Sequence, residues 1–278
     1  MGSSTMGDIR LLVLDLDGTV VGKSNEILPE TLETIRTAQA QGIAVAIATG
    51  RMYQSALRFH QTIASPLPLI TYQGAYIKDP ANNRLHKHLS VSRVLAEALL
   101  DFFEDPALRR QISVHFYIDD QLYVREITAD TEAYVGRSTV QPIAVGDLRS
   151  LLNQEPTKVL AQSQDTDLID ELWQTLKQRY FPTDLYLTKS VATFLEATHP
   201  QVNKGAAVKY LAEDVLGLQP ENVMAIGDNL NDLEMLQYAG LGVAMGDAPA
   251  PVQTIAQWVA PSVEAGGAAV AIDRFLLQ

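Results

Sequence analysis

The sequence predicts an α/β fold, a Rossmann-like parallel-sheet core with an inserted α+β cap domain, and three observations predict it. Short apolar runs alternate with helical patterns through the first sixty residues, as βαβ units around a parallel sheet require. The same alternation returns after Lys204. Between the two, from about Ala81 to Ser190, helices mix with closely spaced strand pairs, the texture of a separate α+β unit. The core is therefore expected over residues 1–81 and 189–278, and the insertion over 82–188.

Each element has a local reason. Leu11 to Leu14 is a continuous apolar run, as a strand buried on both faces should be. Pro29 suits the first turn of a helix, Leu32, Ile35 and Ala38 recur at helical spacing, and Gly42 stands where a helix ends. Ile43 to Ala48 is the next strand and runs out into Thr49-Gly50-Arg51. A helix holding Leu57 and Ile63 precedes the strand-like run Leu67 to Tyr72. In the insertion, Val91 to Phe103 is helical with Val94, Leu95, Ala98, Leu99 and Phe102 as its expected core face. Ile112 to Tyr117 and Leu122 to Val124 flank Asp119-Asp120, a hairpin turn. Lys158 to Ala161, a helix around Leu168 to Leu176, and Leu185 to Leu187 complete it. Lys204 opens a helix that Gly217 closes, Val223 to Ile226 is a strand ending in Gly227-Asp228, and Leu241 to Met245 is another.

Composition narrows the function. The chain has 278 residues, 47% of them hydrophobic, with a mean hydropathy of +0.02, values of a globular protein with sizeable cores. A net charge of −12 and a sequence pI near 4.8 repel phosphate backbones, and no basic run relieves them, so nucleic acid is not an expected partner. Absence of cysteine removes disulfides, thiolate metal sites and cysteine nucleophiles. No apolar stretch approaches 18 residues and the polar start, Met1 to Arg10, lacks the features of a signal peptide. A cytoplasmic protein without a membrane partner is the expectation, while oligomeric state is open.

The segment Asp15-Leu16-Asp17-Gly18-Thr19 follows directly on the first strand. In an open α/β sheet ligands bind beyond the carboxyl ends of the strands, so Asp15 arrives where chemistry is expected. Two acids before a turn are also ordinary caps, yet four fixed positions of this kind arise by chance in under about 1% of chains this long. Three more segments stand at strand ends or helix starts: Thr49-Gly50, Lys204, and Gly227-Asp228-Asn229-Leu230-Asn231-Asp232. Each alone is ambiguous, since lysines are usually solvated and Asp228 and Asp232 suit helix caps. Together they supply what phosphoryl transfer requires. Asp15 is the expected nucleophile and Asp17 the acid/base. Mg²⁺ is the expected cation, held by Asp15 and Asp228, with Asp232 ordering its water. The Thr49 hydroxyl and Gly50 amide would bind phosphoryl oxygens, Lys204 would balance the anions, and Asn231 would donate its amide to the phosphate.

These four segments, with Ala48-Thr49-Gly50-Arg51 and Asn203-Lys204-Gly205 as the second and third, resemble the four motifs of the haloacid dehalogenase superfamily. The long insertion between Thr49 and Lys204 resembles the class IIB capped group, the Cof-type phosphatases. That resemblance implies a Mg²⁺-dependent hydrolase of small phosphorylated metabolites, sugar phosphates or phosphorylated cofactors, with the cap selecting the substrate. It also implies phosphate contact by the backbone at Leu16 and metal binding by the Asp17 carbonyl. The chain departs from the family pattern at Gln73-Gly74-Ala75, where Asn-Gly-Ala is usual, and at Asp247 in Met245-Gly246-Asp247-Ala248. Both are expected near the rim between core and cap, where they would affect substrate preference. His115, Tyr117 and Lys189 are expected to be structural. Two rivals remain: a phosphomutase, disfavoured by the single helix and strand between Val20 and Ala48, and a silent phosphate-metabolite sensor, which would have no need of Asp17.

Overall fold

The computed structural model describes residues 8–136, 138 and 140–277, so most of the polar start read from the sequence lies outside the described residues. They form two compact units. One runs from the first described residues to Gly50, through Ala56–His86, and from Asn203 onward; the other holds Arg51–Ser55 and Lys87–Val202.

The first unit is built on five parallel strands in the order Trp258–Val259, Leu241–Ala244, Val223–Gly227, Leu11–Leu14, Ala44–Ile47. Leu11 pairs with Val223 on one side and Ala44 on the other, and Leu14 with Ile226 and Ile47. All four residues of Leu11–Leu14 are buried, as the unbroken apolar run foretold for a strand covered on both faces. Leu11, Val13, Ala46, Val208, Leu211, Ala225, Met235 and Leu236 join one continuous core. From its first strand the chain moves to Ala44–Ile47 on one side and later to Val223–Gly227 on the other. That reversal creates a crevice between two strand ends, and Asp15 and Asp228 are the residues that follow them.

Pro29 begins the helix Pro29–Ala40, and Gly42 ends it with φ +90°, a conformation only glycine adopts freely. The Leu67 run is a shorter strand, Leu69–Thr71, bridged to Ala48 through Ile70 and paired antiparallel with Tyr76–Lys78. With Leu85–His88 these form a three-stranded sheet whose last two strands sequence reading did not find. Those strands are three and four residues long and mix lysine and histidine into positions where alternation needs apolar residues.

The second unit has six strands in the order Tyr186–Thr188, Phe194–Thr198, Lys158–Gln162, Ser113–Ile118, Gln121–Val124, Pro142–Ala144. Asp119 and Asp120 turn its central hairpin with φ of 50° and 57°, as a two-residue turn of that twist demands. Val114, Phe116, Ile118, Val159, Ala161, Leu195 and Ala197 present one apolar face to the helices Arg93–Phe103 and Thr166–Arg179. The unit extends further than the expected boundary at 188, because Phe194–Thr198 pairs with Lys158–Gln162 and Tyr186–Thr188. The helix Arg93–Phe103 follows expectation at Leu99, with Leu95 and Phe102 packed against the core, and differs at Val94. It buries Ala96, Leu99, Leu100 and Phe103, whereas Val94 is 74% exposed. Two neighbouring stripes of this helix are apolar, and only the sheet decides which is used.

The opposite face of that sheet is polar yet buried. Lys158 Nζ donates to Glu196 Oε2 at 2.9 Å with both side chains at most 3% exposed, and the ammonium sits 4.7 Å from the Tyr117 ring centroid. Tyr117 donates through its hydroxyl to Tyr134 at 2.7 Å, and His115 is fully buried beside Tyr134. Lys189 pairs with Asp170. His115, Tyr117 and Lys189 thus all have structural partners.

Candidate active site

Asp15 leaves the end of its strand 5% exposed, its backbone N–H donating to Ile226 O on the neighbouring strand. Lys204 meets it from another direction. Asn203 caps the helix Lys204–Lys209 by accepting from Ala206 N at 2.6 Å, which sets Lys204 at the first helical position. Lys204 Nζ is fully buried and donates to Asp15 Oδ1 and Asp232 Oδ1, both at 2.6 Å. Burial works against the ammonium, but the two carboxylates outweigh it and hold Lys204 above the usual lysine range.

Asp232 is committed on both oxygens. Its Oδ2 accepts from the backbone N–H groups of Asp228 and Asn229 at 3.0 Å each, closing the turn Leu230–Asp232. Asp228 is thereby aimed at Asp15, and Thr19 Oγ1 donates to its Oδ1 at 3.2 Å. Gly18 makes this approach possible. Its φ is +81°, and a Cβ there would lie 2.3 Å from Asp228 Oδ2, so a side chain at this position would be strained and would displace the Asp228 carboxylate.

Asp15, Asp228 and Asp232 offer oxygens that all lie within 4.8 Å of one another. Crowding of this kind raises the cost of ionisation. Burial, opposed by Lys204 and reinforced by Asp232, pushes Asp15 up to about 7. Burial, followed by the charges of Asp15 and Asp232, pushes Asp228 up to about 9. A set of hard oxygen donors that cannot all ionise unaided fits a divalent cation such as Mg²⁺. Because Lys204 and two backbone amides already engage Asp232, Asp15 and Asp228 are the carboxylates suited to hold it. The Asp17 side chain stands outside this carboxylate group and is partly exposed.

Thr49 is buried, and its backbone N–H donates to Ile70 O. Asn231 is 4% exposed and donates through Nδ2 to Gln73 Oε1 at 3.0 Å. Leu16 is fully buried, and its carbonyl accepts from Thr19, Val20 and Val21, so it anchors the turn after Asp15. Gln73 is fully buried, and a Cβ on Gly50 would lie 2.4 Å from its Nε2. Asp247 is exposed. Sequence reading gave no role to Thr19 or to this contact of Gln73. Thr19 stood inside the first motif, and its hydroxyl was the available signal; for Gln73 nothing in the local sequence marks the contact.

Known proteins place the site in a family. The chain is 30% identical, over 97% of each sequence, to the 5-amino-6-(5-phospho-D-ribitylamino)uracil phosphatase YcsE of Bacillus subtilis. It is also 30% identical to the HMP-PP phosphatase of Cronobacter sakazakii, over 86% of this chain and 85% of that one. A solved sugar phosphatase of HAD subclass IIB shares the fold, with a TM-score of 0.81 over 96% of this chain and 98% of its own at 21% identity. Residues 12–272 match the haloacid dehalogenase-like hydrolases, with the first motif opening the match and the strand ends bearing the acids inside it, and the chain belongs to that family.

Proposed function

We propose that this protein is a Mg²⁺-dependent phosphatase of small phosphorylated metabolites that works through an aspartyl-phosphate on Asp15. The observation that carries the reading is the buried Lys204 ammonium bridging Asp15 and Asp232 at 2.6 Å, which fixes one carboxylate at the strand switch point with its partners in place.

Asp15 attacks phosphorus, a carboxylate oxygen–phosphorus bond forms, and the bond to the leaving oxygen breaks. Asp17 donates its proton to that oxygen. It then takes a proton from water as the water attacks phosphorus, which releases inorganic phosphate and restores the Asp15 carboxylate. Thr49, Gly50, the backbone at Leu16 and the Asn231 amide bind phosphoryl oxygens. Asp15, Asp228 and the Asp17 carbonyl would hold Mg²⁺, while Asp232 positions Lys204 and the Asp228 loop. Bound there, the cation neutralises charge on the phosphoryl group and the nucleophile.

The inserted unit is the substrate-selecting cap in this reading. The two named relatives act on different phosphorylated compounds, so the test is phosphate release from a panel containing both of these, common sugar phosphates and an aryl phosphate. Wild type with Mg²⁺ or EDTA is compared with Asp15→Asn and Asp17→Asn. Mg²⁺-dependent release that both substitutions abolish is expected. Activity retained by Asp15→Asn would remove the nucleophile, and transfer of phosphate between bound sugars without release would mark a mutase. A folded wild type that binds these compounds and turns none over would be a sensor.

A further inference from the structure

Gln73 is the part of the site that the proposed chemistry does not use. Its backbone is unusual. Tyr72, Gln73 and Gly74 have φ of 52°, 62° and 101°, a run of left-handed residues that an extended chain would not adopt without cause. The result is that Gln73 N donates to Thr49 O at 3.0 Å and its amide lies against Gly50. The same side chain reaches Asn231, whose Nδ2 donates to Gln73 Oε1 at 3.0 Å. One glutamine thus ties together two segments that arrive from opposite ends of the sequence and are both assigned to the phosphoryl group.

The pair is incomplete. Gln73 is fully buried and Asn231 is 4% exposed, yet Gln73 Nε2 and Asn231 Oδ1 have no hydrogen-bond partner among the described residues. Buried polar atoms in folded proteins are nearly always satisfied, so two idle atoms on one bonded pair mark a place for a further polar partner. Two primary amides joined by a single bond leave one whole NH₂ group and one oxygen idle, beside the second N–H of the amide that donates. In the present arrangement the idle NH₂ belongs to Gln73, beside Gly50. Turning both amides about reverses the direction of the bond and makes the idle NH₂ that of Asn231. Either way the pair holds an N–H donor of the kind an anionic oxygen accepts from.

Resting on the phosphatase reading, we infer that Gln73 and Asn231 act as one amide pair that presents a single NH₂ group to the phosphoryl oxygens. Gln73 also positions the Thr49-Gly50 turn around it. Gln73→Met keeps the length of the side chain and its tolerance of the backbone while removing the amide, and Gln73→Asn keeps an amide too short to span to Asn231.

The test is a double-substitution cycle of Gln73→Met and Asn231→Leu, read as the inhibition constant of inorganic phosphate, as kcat and KM, and as phosphate binding by calorimetry with Mg²⁺ present. Each single change is expected to weaken phosphate binding about tenfold, and the double variant to be no weaker than the worse single. Gln73→Asn should fall between wild type and Gln73→Met. Multiplied losses in the double variant, or unchanged phosphate binding in a folded Gln73→Met protein, would overturn the inference and leave the phosphatase reading standing. Should Gln73→Met not fold, Gln73→Asn with wild-type phosphate binding would overturn it equally. A wild type that neither turns over esters nor binds phosphate would overturn the reading itself and the pairing with it.

Discussion

At the scale of single residues, the geometry of the carboxylates is set by groups that do no chemistry. Thr19 Oγ1 holds Asp228 Oδ1 at 3.2 Å, and Asp232 holds the backbone of the same loop. Partners of this kind orient a metal ligand, and their loss typically costs ten- to a hundredfold in affinity. Thr19→Val is isosteric and removes only the hydroxyl. Its Mg²⁺ half-saturation is expected to rise about tenfold with kcat at saturating Mg²⁺ nearly unchanged, as a titration of phosphate release would show. An unchanged titration would mean that Thr19 only fills space. The contrast with Asp15 explains what the sequence can reveal about such a site. Asp15, Lys204 and Asp228 carry side chains that chemistry needs, at strand ends that apolar runs announce. Gln73 carries a neutral amide, and it reaches Asn231, 158 positions away, only through three left-handed residues that no periodicity encodes.

Elements behave in a similar way. Parallel strands such as Leu11–Leu14 and Val223–Gly227 are legible because burial on both faces forces an unbroken apolar run. The helix Arg93–Phe103 is legible as a helix but only partly in its orientation: Leu99 is buried and Leu95 and Phe102 pack on the core as read, while the equally apolar Val94 faces solvent. That ambiguity is measurable. Phe103 is 2% exposed in the core of the second unit, so Phe103→Ala should cost about 3–5 kcal/mol in denaturant unfolding. Val94→Ser, at a position 74% exposed, should change stability by less than about 0.5 kcal/mol. Equal losses would return the helix to the face read from sequence. The boundary at Phe194–Thr198 escaped for a related reason. Phe-Leu-Glu-Ala-Thr places a glutamate in mid-strand, and that buried acid is held by Lys158 on the adjacent strand and by the Ser190 hydroxyl.

For the whole molecule, the division into two units separates the carboxylate cluster of the parallel sheet from a second core with its own electrostatics. The second unit keeps His115 neutral: burial, and then the Lys158 charge, lower it to about 3 from an unfolded value of 6.5. Its Nε2 shares a hydrogen bond with Ser113 Oγ at 3.1 Å, and Nδ1 has no partner among the described residues, so nothing there welcomes a second proton. Between pH 6.5 and about 3 the unfolded chain binds the proton and the folded one does not. Stability therefore falls as the solution becomes more acid, by about 1.4 kcal/mol per pH unit for one such group. His60 and His88 are lowered by burial as well and act with the same sign. Urea unfolding at pH 6.5 and 5.0 should accordingly show a loss in wild type that shrinks by about 2 kcal/mol in His115→Gln, with a residue of the slope left to the other two histidines. A slope identical in the two proteins would mean that His115 accepts its proton in the folded state. The polar face of the second sheet would then tolerate a cation beside Lys158, and the Lys158–Glu196 pair would no longer account for the charge that this face can hold.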